Sequence, residues 1–221
     1  MTGMRLIATA VATLGVTATT FAATPSKPAT PFTRQANQQV LQELPFSDRQ
    51  DFEDAQRGLI AREDVVAIKD AKGNVVWDLE QYKKYIGLDK ASPDTVNPSL
   101  WRNAQLSLLN GLFKVTDRIY QVRGYDLSNI TFVQGDTGWI VFDPLISPET
   151  ARAGLDLINR QLGTRPVVAV VYSHSHVDHY GGVRGIVDAA EVAAGKVQIL
   201  APEHFTEHAV SENVIAGNAM A

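Results

Sequence analysis

The chain has 221 residues, 45% of them hydrophobic, 20% charged and 8% aromatic, with a formal net charge of −4. It is too apolar for a disordered chain, shows no Gly-X-Y period or long heptad run, and lacks the basic surplus of nucleic-acid-binding domains, so no nucleic-acid partner is expected. There are no cysteines, which removes disulfides, thiol catalysis, Cys-based zinc sites and iron–sulfur clusters together; a metal would be held by His, Asp and Glu.

Residues 1–22 carry a secretory signal pattern. Arg5 is the positive start, Leu6–Ala22 is an uncharged run of small and apolar residues, and Thr20 and Ala22 fit the −3 and −1 positions of a cleavage site. The run is too short and too poor in basic flanks for an anchor, so a periplasmic or secreted protein with no membrane span after cleavage is expected. Residues 23–45 read as a linker and N-terminal arm, opening with the Pro-rich TPSKPATP (Thr24–Pro31). Residues 46–111 read as an extension, helical with a small hairpin. A helix is predicted over Asp48–Ala61, with Phe52, Ala55 and Leu59 on one face. Val65–Ile68 and Val75–Trp77 flank the turn residues Ala71-Lys72-Gly73-Asn74 and predict the hairpin. Asn97-Pro98 opens a second helix with Leu100, Ala104 and Leu108 in register, which Gly111 is expected to close.

The character changes at about residue 112. Phe113–Val115, Ile119–Val122, Asn129–Gln134 and Trp139–Phe142 are short β-branched and aromatic runs separated by turn residues, which predicts an antiparallel meander. Ser147-Pro148-Glu149 starts a helix with an apolar stripe at Leu155, Ile158 and Leu162 and a stop at Gly163. Val167–Tyr172 is continuously apolar, as for a strand buried on both faces. A loop, a helix and a strand at Val197–Leu200 follow. The order specifies an α/β layered fold.

The chemistry lies directly after the apolar strand, in His174-Ser175-His176-Val177-Asp178-His179 followed by Tyr180-Gly181-Gly182. All five histidines fall between residues 174 and 208. In an extended segment His174 and His176 point the same way and can grip one divalent ion, while a turn at Asp178-His179 can aim both at a second. Zinc accepts such a mixture of nitrogen and oxygen, and two ions about 3.5–4 Å apart can share an activated water. Gly181 and Gly182 suit a loop that must turn sharply into the next helix.

His-x-His-x-Asp-His after an apolar strand resembles the signature of the metallo-β-lactamase fold. The run from Asn97 (NPSLWRNAQLSLLNGLFKVTDRIYQVRGYDLSNITFVQGDTGWIVFDPLISPETA), then YSHSHVDHYGGVRG, together with LPFSDRQDFEDAQRGLIA and EHAVSENVIAGNAM, resembles the periplasmic alkylsulfatases that hydrolyse dodecyl sulfate. The resemblance implies an αββα layered fold, of which residues 112–221 would be the N-terminal half and an incomplete catalytic domain. It implies two Zn²⁺ ions, with His174 and His176 on one and Asp178 and His179 on the other, Asp178 also being the catalytic residue. It implies that Asp143 supports the metal loop from behind; read alone, Asp143 is equally a turn residue before Pro144. The substrate class would be an amphiphilic sulfate ester. Further Glu and His ligands, sulfate-binding residues and a homodimerisation region would lie beyond Ala221. Two other readings stay open: a different hydrolase of the same fold, acting on a lactam, thioester or lactone, and a non-catalytic fragment that needs a partner polypeptide.

Other residues have plainer expectations. His204 and His208 share a helix face with Glu207 between them, but His-Phe-Thr-Glu-His is not a zincin pattern. They read as helix residues near the pocket. Trp77, Trp101 and Trp139 read as packing, Arg123 as a structural ion pair rather than a sulfate ligand, and Tyr180 as a residue that can line the pocket.

Overall fold

A computed structural model describes residues 27–64 and 66–217. The signal pattern of residues 1–22, the first residues of the linker, Val65 and residues 218–221 lie outside the described residues. No helix among the described residues is long and apolar enough to cross a membrane.

The chain first forms α1 (Pro31–Glu43), α2 (Gln50–Gln56), β1 (Leu59–Ala61), the β2–β3 hairpin (Ala67–Lys69, Val75–Asp78), α3 (Glu80–Tyr85) and α4 (Pro98–Ser107). The meander follows as β4 (Gly111–Thr116), β5 (Ile119–Arg123), β6 (Ile130–Gln134) and β7 (Trp139–Phe142), then α5 (Pro148–Leu162), β8 (Val167–Val171), α6 (Ala189–Ala193), β9 (Gln198–Leu200) and α7 (Phe205–Val210). Seven strands make one mixed sheet in the order β1-β4-β5-β6-β7-β8-β9; β2 and β3 form a separate ribbon. β4 to β7 pair antiparallel, and β8 and β9 join in parallel after the α5 crossover. This sheet with its helices has the layered α/β character expected of the metallo-β-lactamase fold.

The core follows from the strand periodicity. Leu112, Val122, Ile130, Phe132 and Val141 are buried on the sheet and meet Ala151, Leu155 and Ile158 of α5. α5 has the predicted ends: Ser147 caps it reciprocally with Thr150, Pro148 sits in the first turn, and Gly163 stops it at φ 90°. Trp139 is fully buried, packs edge-on to Phe132 at 5.9 Å, and donates from Nε1 to Asn159 Oδ1 at 2.9 Å. Trp77 donates to the Gly124 carbonyl and Trp101 to the Lys90 carbonyl, so all three tryptophans pack with their N–H satisfied.

Four expectations change. The arm over residues 23–45 contains a helix, α1: Thr30 accepts from the Thr33 amide at 3.1 Å, and Pro31 occupies the first turn. The helix predicted over Asp48–Ala61 stops at Gln56. Gly58 turns at φ 76° against Lys114, where a side chain would overlap the Lys114 carbonyl, and Leu59–Ala61 becomes a strand paired with β4. Tertiary pairing thus overrides a local helical pattern. α4 ends at Ser107 with Leu108 as its cap, so Gly111 does not close it; at φ 139° Gly111 opens β4. On β8, Val167 and Val170 are buried while Val168, Ala169 and Val171 are half-buried, so one face is only partly covered among the described residues.

Candidate metal centre

The two parallel strands β7 and β8 end side by side, with Phe142 opposite Val171. Asp143 and Ser173 therefore leave the sheet together, at the carboxyl ends of its strands, where α/β folds place their ligands. Asp143 takes φ 55°, uncommon for a residue other than glycine, and its amide donates to the Val171 carbonyl. Its carboxylate accepts from the Ser173 amide at 2.8 Å and from the Ser173 hydroxyl at 2.7 Å. The Ser173 oxygen also lies 2.9 Å from His174 Nδ1. A carboxylate only accepts, so the single hydroxyl proton goes to Asp143, and Ser173 must accept from His174 Nδ1–H. His174 Nε2 is then left as a bare lone pair.

Beyond His176 the chain makes one 3-10 turn, Val177–His179, and Tyr180-Gly181-Gly182 folds back onto the loop after β7. Gly182 donates to the Leu145 carbonyl at 2.8 Å, and a Cβ there would overlap the Pro144 and Ser147 carbonyl oxygens. Glycine is required by this close backbone approach, at an ordinary φ of −82°. Opposite, Ser128 donates to the Asp178 carbonyl. Asp126, buried, accepts from the Ile146 amide at 3.0 Å and from Thr150 Oγ1 at 2.6 Å, locking the β5–β6 loop to the start of α5.

The four motif residues come together. The rings of His174 and His176 are 4.6 Å apart, with Nε2 of the first 3.1 Å from Nδ1 of the second. The rings of His174 and His179 are 4.1 Å apart. Asp178 Oδ2 lies 3.3 Å from His179 Nε2, and Asp143 Oδ2 lies 3.0 Å from His179 Nδ1. That Nδ1 is buried and has no hydrogen-bond partner among the described residues. The donor set and pairwise spacing fit a divalent ion. Two nitrogens on one tetrahedral zinc, each at about 2.0–2.1 Å, stand about 3.3–3.4 Å apart. Among the described residues, however, no group of three or more His, Asp or Glu side chains closes on a common point.

His204, at φ 60°, pairs with Glu207 at 3.1 Å and with Glu203 at 3.5 Å, and both it and His208 are exposed. Arg123 bonds Gln121 Oε1 at 2.7 Å and the Ala55 carbonyl and lies 4.4 Å over the Phe113 ring; these partners replace the expected carboxylate, and burial lowers its pKa. Tyr180 joins an aromatic cluster with Tyr172 and Phe205, at 5.8 and 5.1 Å. Burial, then the neighbouring Tyr180, holds the Tyr172 hydroxyl above its usual pKa.

Several contributors escape sequence reasoning. Ser173 and Ser175 alternate with His174 and His176 in the sequence, but nothing local says that Ser173 meets His174 or that Ser175 meets Glu212. Glu212 and Asn213 carry no local signal. They lie on a π-helical turn, Ser211–Ala216, that continues α7, and they reach back to the loop: Ser175 donates to Glu212 Oε2 at 2.7 Å, and Asn213 donates to the Ser175 carbonyl at 3.2 Å.

Comparison with known proteins agrees with this architecture. Residues 123–218 match the metallo-beta-lactamase superfamily. The chain is 56% identical over 209 residues to a linear primary-alkylsulfatase from Pseudomonas, covering 95% of this chain and 31% of the relative. It is 51% identical over 196 residues to an alkyl/aryl-sulfatase from Saccharomyces cerevisiae, covering 88% of this chain and 30% of the relative. Among solved structures, the stereoselective inverting sec-alkylsulfatase from Pseudomonas superposes with a TM-score of 0.82 at 55% identity, covering 89% of this chain and 30% of that one. The chain thus spans about three tenths of the length of the curated relatives it matches. Fold, motif and similarity agree: residues 123–218 match the metallo-beta-lactamase superfamily, and the relatives along nearly all of the chain's length are alkylsulfatases.

Proposed function

We propose that this chain supplies the metal-binding part of a zinc-dependent hydrolase of alkyl sulfate esters, such as dodecyl sulfate, releasing alcohol and sulfate. The observation that carries the reading is the pairwise approach of His174 to His176 and to His179, and of Asp178 to His179, just beyond β8, in a chain similar to alkylsulfatases. His174 and His176 would hold one ion, and Asp178 with His179 the second. When bound, such ions supply Lewis acidity and lower the pKa of water, so that it is a nucleophile near neutral pH.

The chain's own residues prepare that site. Asp143, through Ser173, aims His174 Nε2 inward, and Ser128 fixes the backbone at Asp178. Asp178 is the candidate proton-handling carboxylate beside the reacting ester. An apolar tail also has room: a cavity of about 680 Å³, lined by residues including Trp77, Tyr82, Leu100 and Leu108, borders the loop that carries Ser128. The signal pattern of residues 1–22 supports export to a periplasmic or secreted location.

The test is elemental analysis together with sulfate release from sodium dodecyl sulfate. A protein that carries this chain together with the remaining length of its alkylsulfatase relatives is expected to hold zinc through His174 with His176 and Asp178 with His179 and to release sulfate, with turnover reduced at least about 100-fold in His176→Ala. Undiminished zinc content and turnover in that variant would overturn the site. A second reading has its own support, because no three donors converge among the described residues. Under it the chain takes up zinc without turnover, and further ligands come from another polypeptide segment.

A further inference from the structure

We propose that the N-terminal extension positions the histidine-rich loop, with Glu63 and Tyr125 as the positioning residues: Glu63 holds the Tyr125 hydroxyl, Tyr125 sets the segment between β5 and β6, and Ser128 of that segment pins the peptide that joins Asp178 to His179. That this peptide belongs to a metal site rests on the reading above; the contacts are independent of it.

Residues 124–129 form neither helix nor strand, so side-chain contacts set their course. At the start of the segment these come from the extension. Trp77 on β3 donates from Nε1 to the Gly124 carbonyl at 3.0 Å. Tyr125, fully buried, donates its hydroxyl to Glu63 Oε2, on the link between β1 and β2 and 62 positions earlier. Burial, then the Glu63 carboxylate, hold the Tyr125 hydroxyl far above its usual pKa. The proton therefore stays on the phenol oxygen, and the bond to the carboxylate is charge-assisted. Glu63 is itself held: Arg160 of α5 reaches its Oε1, and buried Asn110 donates to its carbonyl at 3.0 Å. The Tyr125 ring already fills the core, so its hydroxyl adds a direction rather than burial.

The far end of the segment meets the histidine-rich loop. Only Asp126 and Leu127 separate Tyr125 from Ser128, and Asp126 is tied to Ile146 and Thr150, so the segment has no slack to absorb a shift at one end. Ser128, 9% exposed, donates to the Asp178 carbonyl. A carbonyl and the N–H that follows it share one rigid plane. Fixing the Asp178 oxygen therefore orients the His179 amide, which closes the 3-10 turn on the His176 carbonyl at 3.0 Å. The Asp178 and His179 side chains spring from the two ends of that plane. Groups that act together on one ligand need such support from residues behind them.

The experiment uses the protein that carries this chain together with the remaining length of its alkylsulfatase relatives. Hydrogen exchange of the metal-free form, read by mass spectrometry, follows the amides of residues 176–182. Tyr125→Phe, which keeps the ring, and Glu63→Ala should speed exchange there about 5–30-fold. Glu63→Gln, whose amide oxygen still accepts from the phenol, should behave as the parent. Arg102→Ala, which weakens the extension away from this segment, should leave exchange in the loop unchanged. Adding Tyr125→Phe to Ser128→Ala should have no further effect, because both break the same line of contacts. Competition with a chromophoric chelator should show zinc affinity about 10–100-fold lower in Tyr125→Phe and Glu63→Ala. The proposal is overturned by parent-like loop exchange in a folded Tyr125→Phe protein, by equal acceleration in Arg102→Ala, or by additive effects of Tyr125→Phe and Ser128→Ala. Zinc affinity within twofold of a zinc-binding parent overturns it as well. A protein that takes up no zinc while its loop exchange still depends on Glu63 and Tyr125 overturns the metal reading alone and upholds the positioning role.

Discussion

Asp143 shows how one residue can join a backbone turn to a chemical site. Its left-handed backbone costs about 1–2 kcal/mol for a residue with a Cβ, and two hydrogen bonds to Ser173 offset that cost. The sequence leaves its role divided between turn residue and support for the metal loop, and in the fold it has the turn geometry and the contacts to Ser173 at once. An alanine there keeps the backbone cost and removes both acceptors, so Asp143→Ala should lower unfolding free energy by about 1–3 kcal/mol. Asp143→Asn should lose less, because asparagine tolerates positive φ and can accept from the Ser173 amide while donating to its hydroxyl. Urea titrations of the three proteins check this; equal midpoints for the parent and the alanine variant would remove Asp143 from this role. The motif histidines were legible because ligand-type side chains crowd into six positions. Glu212 was not, because nothing near it in sequence says that it meets Ser175.

Among the elements, the clearest lesson is at α2 and β1. Phe52, Ala55 and Leu59 share a helical period, but the Gly58 turn and the exposed edge of β4 draw Leu59–Ala61 into the sheet. Helix propensity differs little among these residues, so strand pairing decides. α2 is held to α4 by Arg102, which bonds both Asp51 oxygens at 2.6 Å and reaches the carbonyls of Phe46 and Asp48. The Arg102 hydrogen bonds hold the Asp51 carboxyl below its usual pKa, outweighing the opposing effect of burial. A depressed carboxyl contributes stability above its unfolded pKa of about 3.9 and loses it as pH falls through the folded value. Arg102→Ala should therefore cost about 1–2 kcal/mol at pH 7, modest because Asp51 is partly exposed. The gap to the parent should narrow between about pH 5 and pH 2. Thermal unfolding across that range reads the effect, and a gap independent of pH would show that Asp51 is not the partner that matters. α4 and α5 needed no such correction at their starts, since Asn97-Pro98 and Ser147-Pro148 carry their caps within the local sequence.

Across the molecule, burial is uneven. β5 to β7 and α5 carry fully buried residues, among them Val122, Ile130, Phe132, Trp139 and Ile158, whereas β9 is exposed at all three positions and α7 buries none. Local opening follows buried apolar contact. Amide exchange should accordingly be slowest in β6, β7 and the middle of α5 and fastest in β9 and α7; uniform protection, or a protected α7, would contradict this picture. The N-terminal segment belongs to the same sheet, since β1 extends it beyond β4. By itself the sequence determined what depends on near neighbours: the meander, the caps and stop of α5, the apolar β8 and the ligand-rich loop after it, because alternation, capping and turn chemistry act over a few residues. Only the tertiary structure decided that Leu59–Ala61 is a strand, that Asp143 and Ser173 leave the sheet together, and that Glu212 and Asn213 return to the loop that carries His174 and His176. Those outcomes depend on contacts between residues tens of positions apart, which local periodicity does not encode.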